Sequence, residues 1–269
     1  IEIFVIIIHI EIREKCLTQN SLIRWRKYMA EFDTIRTAGA GAKPLAIDEG
    51  LKKHMSRTYS LMAIAMLITG GVAYIVGNNN TMLSVIFGSP LKWVVMFAPL
   101  AVVFGLSASI NRLSAATAQL VFWLFSALMG LSISYIFAVY TGMSIAQTFL
   151  VTAIAFSGLS IWGYTTKKDI SAWGSFLMMG VIGLIVASVV NIFMASPAIQ
   201  FAVSSLGVLI FAGLTAYDTQ RIKNDYIQMS RMGNAEWLAK SAIMGALSLY
   251  INFLNMFIML LHLMGAMRE

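Results

Sequence analysis

Residues 211–223 read F-A-G-L-T-A-Y-D-T-Q-R-I-K, and this stretch places one carboxylate, Asp218, at the end of a long apolar run. The residues before Asp218 continue a hydrophobic segment, whereas Arg221 and Lys223 after it are charged. A carboxylate at or inside the edge of a bilayer is energetically costly, and such groups mark functional sites by default. The stretch therefore predicts a membrane-spanning helix that carries a functional acid where the helix meets water.

The composition is that of a polytopic helical membrane protein. Hydrophobic residues make up 59% of the 269 residues and charged residues 12%, whereas soluble domains carry roughly 25% charged residues. The apolar residues form long runs, each near the ~20 residues that a bilayer requires. The predicted fold class is all-α with seven transmembrane helices, at about residues 58–76, 92–110, 115–140, 145–164, 172–194, 198–217 and 241–264.

The net charge of +7 is distributed unevenly along the chain, and in a membrane protein this distribution sets the orientation. With the N-terminus in the cytoplasm, 17 of the 19 Lys and Arg residues fall on the inner side, and Lys92 and Arg268 fall outside. We therefore expect a cytoplasmic N-terminus and an external C-terminus. No nucleic-acid-reading motif accompanies the charge, so the expected partner is the lipid bilayer and not a nucleic acid. The single cysteine, Cys16, excludes an intramolecular disulfide and a multi-cysteine metal site.

The sequence divides into an N-terminal cytoplasmic segment, residues 1–57, and a seven-helix transmembrane domain, residues 58–269. Residues 1–10 form an apolar run that is too short to span a bilayer. A basic and aromatic stretch then leads to Met29. We expect translation to start at Met29, with residues 1–28 not native.

Residues 47–57 predict an amphipathic helix ahead of the first span. Ile47, Leu51 and Met55 fall at i, i+4 and i+8, and Glu49 precedes Lys53 by four residues. Such a helix either lies at the cytoplasmic interface or leads directly into the first span.

Small residues at i, i+4 spacing predict close helix approach in two spans. Ser126, Gly130 and Ser134 have this spacing in the third span, and Gly183 and Ala187 have it in the fifth. Small side chains let the backbones of membrane helices come close together, so we expect both stripes to face other helices.

Polar residues of the seventh span share one helical face. Ser248, Asn252, Asn255 and His262 fall near i, i+4, i+7 and i+14 in an otherwise apolar run. The pattern favours a water-lined or helix-packed interior, with hydrogen bonding between helices as the alternative. His262 lies near the outer end of the span, where an interfacial histidine is expected rather than a metal ligand.

Two cations are candidate partners of Asp218. Arg112 ends the second span on the inner side, and an arginine holds a carboxylate through two parallel hydrogen bonds. The alternative for Arg112 is an orienting residue that extends to the lipid headgroups. The alternative for Asp218 is an interfacial acid of structural role, which forms an ion pair with Arg221 at i+3 where the helix leaves the membrane.

Residues 213–223 (G-L-T-A-Y-D-T-Q-R-I-K) and 246–257 (A-L-S-L-Y-I-N-F-L-N-M-F) together resemble the signature of the Bax inhibitor-1 family, the transmembrane Bax inhibitor motif proteins. I-N-R-L-S at 110–114 and G-Y-T-T-K-K-D at 163–169 resemble bacterial members, and the likeness extends over residues 48–265. It implies two three-helix layers around a central seventh helix. It also implies a location in the bacterial inner membrane and a pH-dependent leak of Ca²⁺ down its gradient.

The resemblance implies roles for three residues. In the family an Asp of the sixth helix pairs with an Asp of the seventh, and an Arg of the second helix latches the pair. The corresponding positions here are Asp218, Asn252 and Arg112, so this chain has Asn where the family has Asp. Two close carboxylates share a proton and titrate together, which an Asp–Asn pair cannot do.

We expect the fold and the pore to persist while pH sensing and Ca²⁺ affinity are weakened. Asn252 still offers an amide oxygen, which suits a hard cation. Under this reading Asp218 and Asn252 contact Ca²⁺ transiently, and Ser248 and Asn255 line its path. Ca²⁺ is then the permeant ion, and no cofactor is expected.

A second class of function is regulatory. Because family members also modulate other membrane proteins, the resemblance allows a partner such as a protease or a cell-death factor, without transport by this chain. An enzyme is not expected. Tyr217 and Asp218 match half of the Y-D…G-x-G-D pattern of intramembrane aspartyl proteases, but the chain contains no G-x-G-D and no G-x-S-G sequence.

Overall fold

A computed structural model of the protein describes residues 44–230 and 235–267. Residues 1–43 lie outside this part, and with them the predicted start at Met29. The described residues form helices joined by short connections. These helices are α1 (Pro44–Gly77), α2 (Asn80–Phe87), α3 (Leu91–Ser109), α4 (Ala115–Ile133), α5 (Ile136–Val139), α6 (Gly142–Thr165), α7 (Trp173–Met194), α8 (Pro197–Ser230) and α9 (Ala235–Met264).

Seven segments of the described chain are long and apolar enough to cross a membrane, which confirms the predicted all-α polytopic fold. They correspond to α1, α3, α4 with α5, α6, α7, α8 and α9. The short α2 has no buried residue and connects the first two spans.

The central position of α9 is the main feature of the packing. In its membrane-spanning window 89% of the residues are buried, against 22–44% in the other six spans. Helices α1, α3 and α4 pack together on one side of α9, and α6, α7 and α8 pack together on the other. The two three-helix layers implied by the resemblance are therefore present, with α9 between them.

Two helices extend further than predicted. The boundary expected between residues 57 and 58 falls inside α1, so the segment before it leads directly into the first span. Leu51 and Met55 of that segment are buried. The sixth span was expected to end at Tyr217, but α8 continues to Ser230. Asp218 is consequently not at a helix exit.

Polar side chains and one left-handed residue set the helix ends. The side chains of Ser114 and Thr141 accept hydrogen bonds from backbone N–H groups in the first turns of α4 and α6, as N-cap residues do. Ala195 ends α7 in the left-handed conformation (φ 47°), and Pro197 starts α8 two residues later. This tight turn makes α7 and α8 antiparallel neighbours.

Glycines allow two close helix contacts. A Cβ added at Gly130 would lie 2.7 Å from the Thr69 carbonyl oxygen, so α4 lies against α1 as its small-residue stripe predicts. A Cβ at Gly163 would meet the backbone of Ala216 in the contact of α6 with α8. The expectation for Gly183 was wrong: it is exposed, and a Cβ there would meet nothing within 4 Å. The i, i+4 spacing does not specify which side of α7 faces a neighbour.

The end of α9 is fixed to the junction of α5 and α6. The Thr141 N–H donates to the Ala266 carbonyl at 3.1 Å, and the Ala266 N–H donates to Ser144 Oγ at 2.9 Å. These bonds hold the central helix along its axis at the end away from Asp218.

Candidate functional site

Asp218 lies in the contact between α8 and α9. Its side chain is buried, with 1% of the residue exposed, and Asn252 opposite it is fully buried. Asn252 Nδ2 donates a hydrogen bond to Asp218 Oδ2 at 2.8 Å. The structure thus brings together the two residues that the family resemblance implied as a pair. The pair consists of one carboxylate and one amide.

The cation in contact with Asp218 is Arg221. Its Nη2 lies 3.3 Å from Asp218 Oδ1, and the Arg221 side chain is 12% exposed. Nη2 also donates to Ser248 Oγ of α9 at 3.2 Å. Residues three or four apart share a helix face, so Asp218 and Arg221 of α8 meet Ser248 and Asn252 of α9. We call these four residues the carboxylate cluster.

Arg112 is not part of the carboxylate cluster. Its side chain is exposed and lines a pocket with Glu236, Trp237 and Lys240 at the start of α9. Lys240 precedes Asn252 by 12 residues, or about 18 Å of helix. The helix that ends before Arg112, α3, packs mainly against α2 and α4. The expected contact of Arg112 with Asp218 is therefore replaced by the contact of Arg221, which was the alternative partner.

Two amide atoms of α9 extend the polar face beyond the cluster. Asn252 Oδ1 and Asn255 Nδ2 are buried and have no hydrogen-bond partner within the described residues. Buried amides of this kind take a water molecule or an ion as partner. An amide oxygen beside a carboxylate is also a donor set that suits a hard cation such as Ca²⁺.

Apolar side chains close the interior on the far side of Asn255. A Cβ added at Gly207 of α8 would overlap Met259 Sδ, so the thioether of α9 lies directly on the α8 backbone. Phe257 and Leu261 near it are also buried. His262, one helical turn further, is exposed and its ring lies 6.3 Å from that of Tyr140. The polar face of α9 is thus separated from this end of the bundle by a hydrophobic contact.

A second buried polar contact sets the rotation of α9. The Tyr250 hydroxyl lies 2.6 Å from Thr69 Oγ1 of α1, and Thr69 Oγ1 donates to the carbonyl of Ser126 in α4, at 2.8 Å. Tyr250 is two residues before Asn252 and points to the opposite layer. With Tyr250 held by α1 and α4, Asn252 faces α8. Sequence reasoning missed this contact because a Tyr in an apolar run carries no specific signal.

Residues just after Asp218 fix the loop between α6 and α7. Gln220 Nε2 donates to the Lys168 carbonyl at 2.8 Å, and Gln220 Oε1 accepts from the Ile170 N–H at 3.0 Å. Lys223 Nζ donates to the Tyr164 carbonyl at 2.9 Å. These bonds satisfy the polar groups of the Q-R-I-K sequence inside the bundle. They explain why α8 continues as a helix past Asp218.

The same loop carries an exposed acid outside the spans. Asp169 Oδ1 accepts a hydrogen bond from the Ser171 N–H at 2.9 Å. Hydrogen bonds from the side chain and backbone of Ser171 hold the pKa of Asp169 below its ordinary value. Asp169 therefore stays ionised across the physiological pH range.

The fold and the cluster define a class: an integral membrane protein of seven spans, with a buried carboxylate between the sixth span and a central seventh. The chain belongs to the Bax inhibitor-1 family, since the family model described as "Inhibitor of apoptosis-promoting Bax1" matches residues 51–269.

Bacterial relatives resemble the chain over most of their length. The inner membrane protein YbhL of Escherichia coli is 43% identical over 220 residues, which cover 81% of this chain and 94% of YbhL. An uncharacterized protein of Caulobacter vibrioides is 44% identical, covering 87% of this chain and 96% of its own. Protein RP147 of Rickettsia prowazekii is 38% identical, covering 88% and 99%.

Proposed function

We propose that the protein is a Ca²⁺ leak channel of the inner membrane in which Asp218 controls permeation. The observation that carries this proposal is the buried Asp218 carboxylate, hydrogen-bonded to Asn252 of the central helix. Ionisable groups inside a membrane bundle mark ion pathways. The inner-membrane location rests on the likeness to YbhL, whereas the cytoplasmic N-terminus rests on the positive-inside rule alone.

The proposed path follows the polar face of α9. In the predicted orientation α9 begins on the cytoplasmic side, so Ca²⁺ that moves down its gradient passes Asp218 and the amide oxygen of Asn252 and leaves at the end where α9 begins. Ser248 lies one helical turn before Asn252 along α9 and Asn255 about one turn after it, and both are buried. The contact of Met259 with Gly207 is the barrier that must open on the far side. In the closed state the ion pair with Arg221 occupies the carboxylate.

We assign the latch to Arg221, because its Nη2 lies 3.3 Å from Asp218 Oδ1. Protonation of Asp218 neutralises the carboxylate, which releases Arg221 and also removes the negative charge that attracts Ca²⁺. A second carboxylate at position 252 would share that proton, and the two groups would then titrate as a coupled pair. With Asn252 in its place, we expect a shallow pH dependence.

The test is Ca²⁺ influx into dye-loaded proteoliposomes between pH 5.5 and 8. The variants are Asp218→Asn, which removes the carboxylate, and Asn252→Asp, which supplies the second one. Asp169→Asn serves as the matched control, because Asp169 is an exposed acid outside the spans. We expect flux from the wild type, an altered pH response in Asp218→Asn, and a pH profile in Asn252→Asp that differs from that of the wild type.

The result that would overturn the proposal is a purified protein that conducts no Ca²⁺ in any of these forms. Flux that is identical in wild type and Asp218→Asn would remove Asp218 from the mechanism. Absence of flux would favour the regulatory alternative, in which the protein modulates other membrane proteins such as a protease. The search would then move to those partners.

A further inference from the structure

A polar pocket lies at the end of the bundle where α9 begins, away from the carboxylate cluster. Its volume is about 360 Å³. Residues 111–114, between α3 and α4, form one side, and Glu236, Trp237 and Lys240 in the first turns of α9 form the other. Nothing in the proposed channel path uses these residues.

The pocket carries excess positive charge. Lys240 is 6% exposed, and its Nζ lies 3.4 Å from Glu236 Oε1, so these two charges offset each other. The Lys240 ammonium also lies 5.6 Å from the centre of the Trp237 ring. Arg112 is exposed and forms no ion pair with the residues that the structure describes. One uncompensated guanidinium therefore faces the pocket.

The chemistry of the lining favours phosphate oxygens. A guanidinium binds phosphate through two parallel hydrogen bonds, and an ammonium adds a point charge. The Ser114 hydroxyl lies in the same lining and caps α4, whose first turn adds positive potential from its backbone N–H groups.

The position of the pocket at the ends of membrane-spanning helices places it, by inference, at the level of lipid headgroups. It is bounded by the end of α3, the start of α4 and the start of α9. Ends of membrane-spanning helices lie in the interfacial region, where Trp and Lys side chains are enriched. Lipid phosphates are the most abundant anions at that level.

We propose that this pocket binds a phosphate-bearing anion, with Arg112 and Lys240 as its cationic ligands. A phospholipid headgroup and a free phosphate both present phosphate oxygens to these cations. They differ in that the phospholipid also carries acyl chains. Arg112, which the sequence places at the inner end of the second span, then fixes α3 and α4 to the start of α9 through the bound anion. This role does not depend on ion conduction.

The decisive variant is Arg112→Gln, which removes the unpaired charge from an exposed position and leaves the fold intact. Lys167→Gln is the matched control, because Lys167 is an exposed cation that does not line the pocket. In the first arm, native mass spectrometry of delipidated protein titrated with phosphatidylglycerol measures the bound lipid. We expect one tightly bound lipid in the wild type and the control, and about tenfold weaker binding in Arg112→Gln.

In the second arm, the midpoint of thermal unfolding in detergent is measured with inorganic phosphate against chloride at equal ionic strength. A phosphate-specific increase that Arg112→Gln abolishes identifies a free phosphate or a phosphorylated solute as the ligand. Loss of lipid binding without a phosphate effect identifies the headgroup. The proposal is overturned if Arg112→Gln matches the wild type in both arms. It is also overturned if Arg112→Gln and Lys167→Gln weaken binding equally, since general surface charge then explains the binding.

Discussion

At the scale of single residues, the ion pair of Asp218 with Arg221 has the largest expected effect on stability. Replacing Asp218 by Asn leaves the Arg221 guanidinium buried beside a neutral group, which costs on the order of 3 kcal/mol. Replacing Arg221 by Gln as well removes the unmatched charge. We therefore expect Asp218→Asn to lower the free energy of unfolding in detergent, and the double variant to regain part of the loss.

The unfolding measurement has an internal check in the double-mutant cycle. If the effects of Asp218→Asn and Arg221→Gln simply add, the two side chains are not coupled in solution. Such a result would also remove Arg221 as the latch.

A residue-scale prediction about pH concerns Asp169. Because hydrogen bonds from Ser171 hold the pKa of Asp169 below its ordinary value, the ionised form is favoured in the folded protein. The resulting stabilisation is present above the unfolded pKa and is lost as the pH falls through the folded one. We expect Asp169→Asn to reduce stability slightly at neutral pH, and the difference from wild type to start to shrink near the unfolded pKa of about 4 and to disappear only below the folded pKa. Unfolding curves at pH 3 and pH 7 measure this, and a difference that grows on acidification would contradict it.

The pairing of Asp218 with Asn252 was predictable from sequence, but the position of Arg112 was not. The motif positions carried over from the family identify both residues of this pair, one in the sixth span and one in the seventh. The positive-inside rule places Arg112 only at one face of the membrane. It specifies neither the depth of the side chain nor the neighbours of α3. Those depend on helix packing, and α3 packs mainly with α2 and α4.

At the scale of helices, the contact between α6 and α8 depends on Gly163. A Cβ at this position would lie 2.4 Å from the Ala216 carbonyl oxygen, and a backbone atom cannot move aside without separating the helices. We expect Gly163→Ala to destabilise the protein by about 1–3 kcal/mol, measured by thermal unfolding in detergent. Gly158→Ala in the same helix is the control, because a Cβ there would meet nothing within 4 Å. Equal effects of the two substitutions would show that the close approach does not matter.

Helix ends were predicted well where the connections are short and poorly where polar residues are buried. The turn from α7 to α8 fell within a few residues of its expected place, since Pro197 marks the start of α8. The sixth span was expected to end at Tyr217, 13 residues before α8 ends, because the charged residues after Asp218 were taken as exposed. Gln220 and Lys223 instead find carbonyl partners on the α6–α7 connection. Hydropathy does not register such partners.

At the scale of the whole molecule, the seven spans follow from apolar run lengths, but the central position of α9 does not. The seventh span is no more hydrophobic than α8, at a mean hydropathy of 1.8 in both. Its polar face (Ser248, Asn252 and Asn255) was the only local signal of an interior position. The resemblance to the family implied the layered arrangement. The burial of 89% of the residues in the membrane-spanning part of α9 confirms it.

The orientation of the molecule is the remaining whole-molecule prediction. Among the described residues, the Lys and Arg side chains concentrate at the end that holds the α6–α7 loop, and Lys92 lies near the opposite end. The positive-inside rule then places that loop in the cytoplasm and α2 outside. After Cys16→Ser, single cysteines are introduced at Ser171 and at Thr81, which are both exposed. We expect an impermeant maleimide to label Thr81→Cys on intact cells and Ser171→Cys only after lysis.

The labelling result also decides which leaflet the Arg112 pocket faces. Arg112 lies at the same end as the α6–α7 loop, because α3, which runs opposite to α1, and α6 both end there. Labelling of Ser171→Cys from outside would show that the molecule has the opposite orientation, with the pocket in the outer leaflet. Labelling in the expected order places it at the inner surface, where the negative potential of anionic lipids favours a cationic pocket.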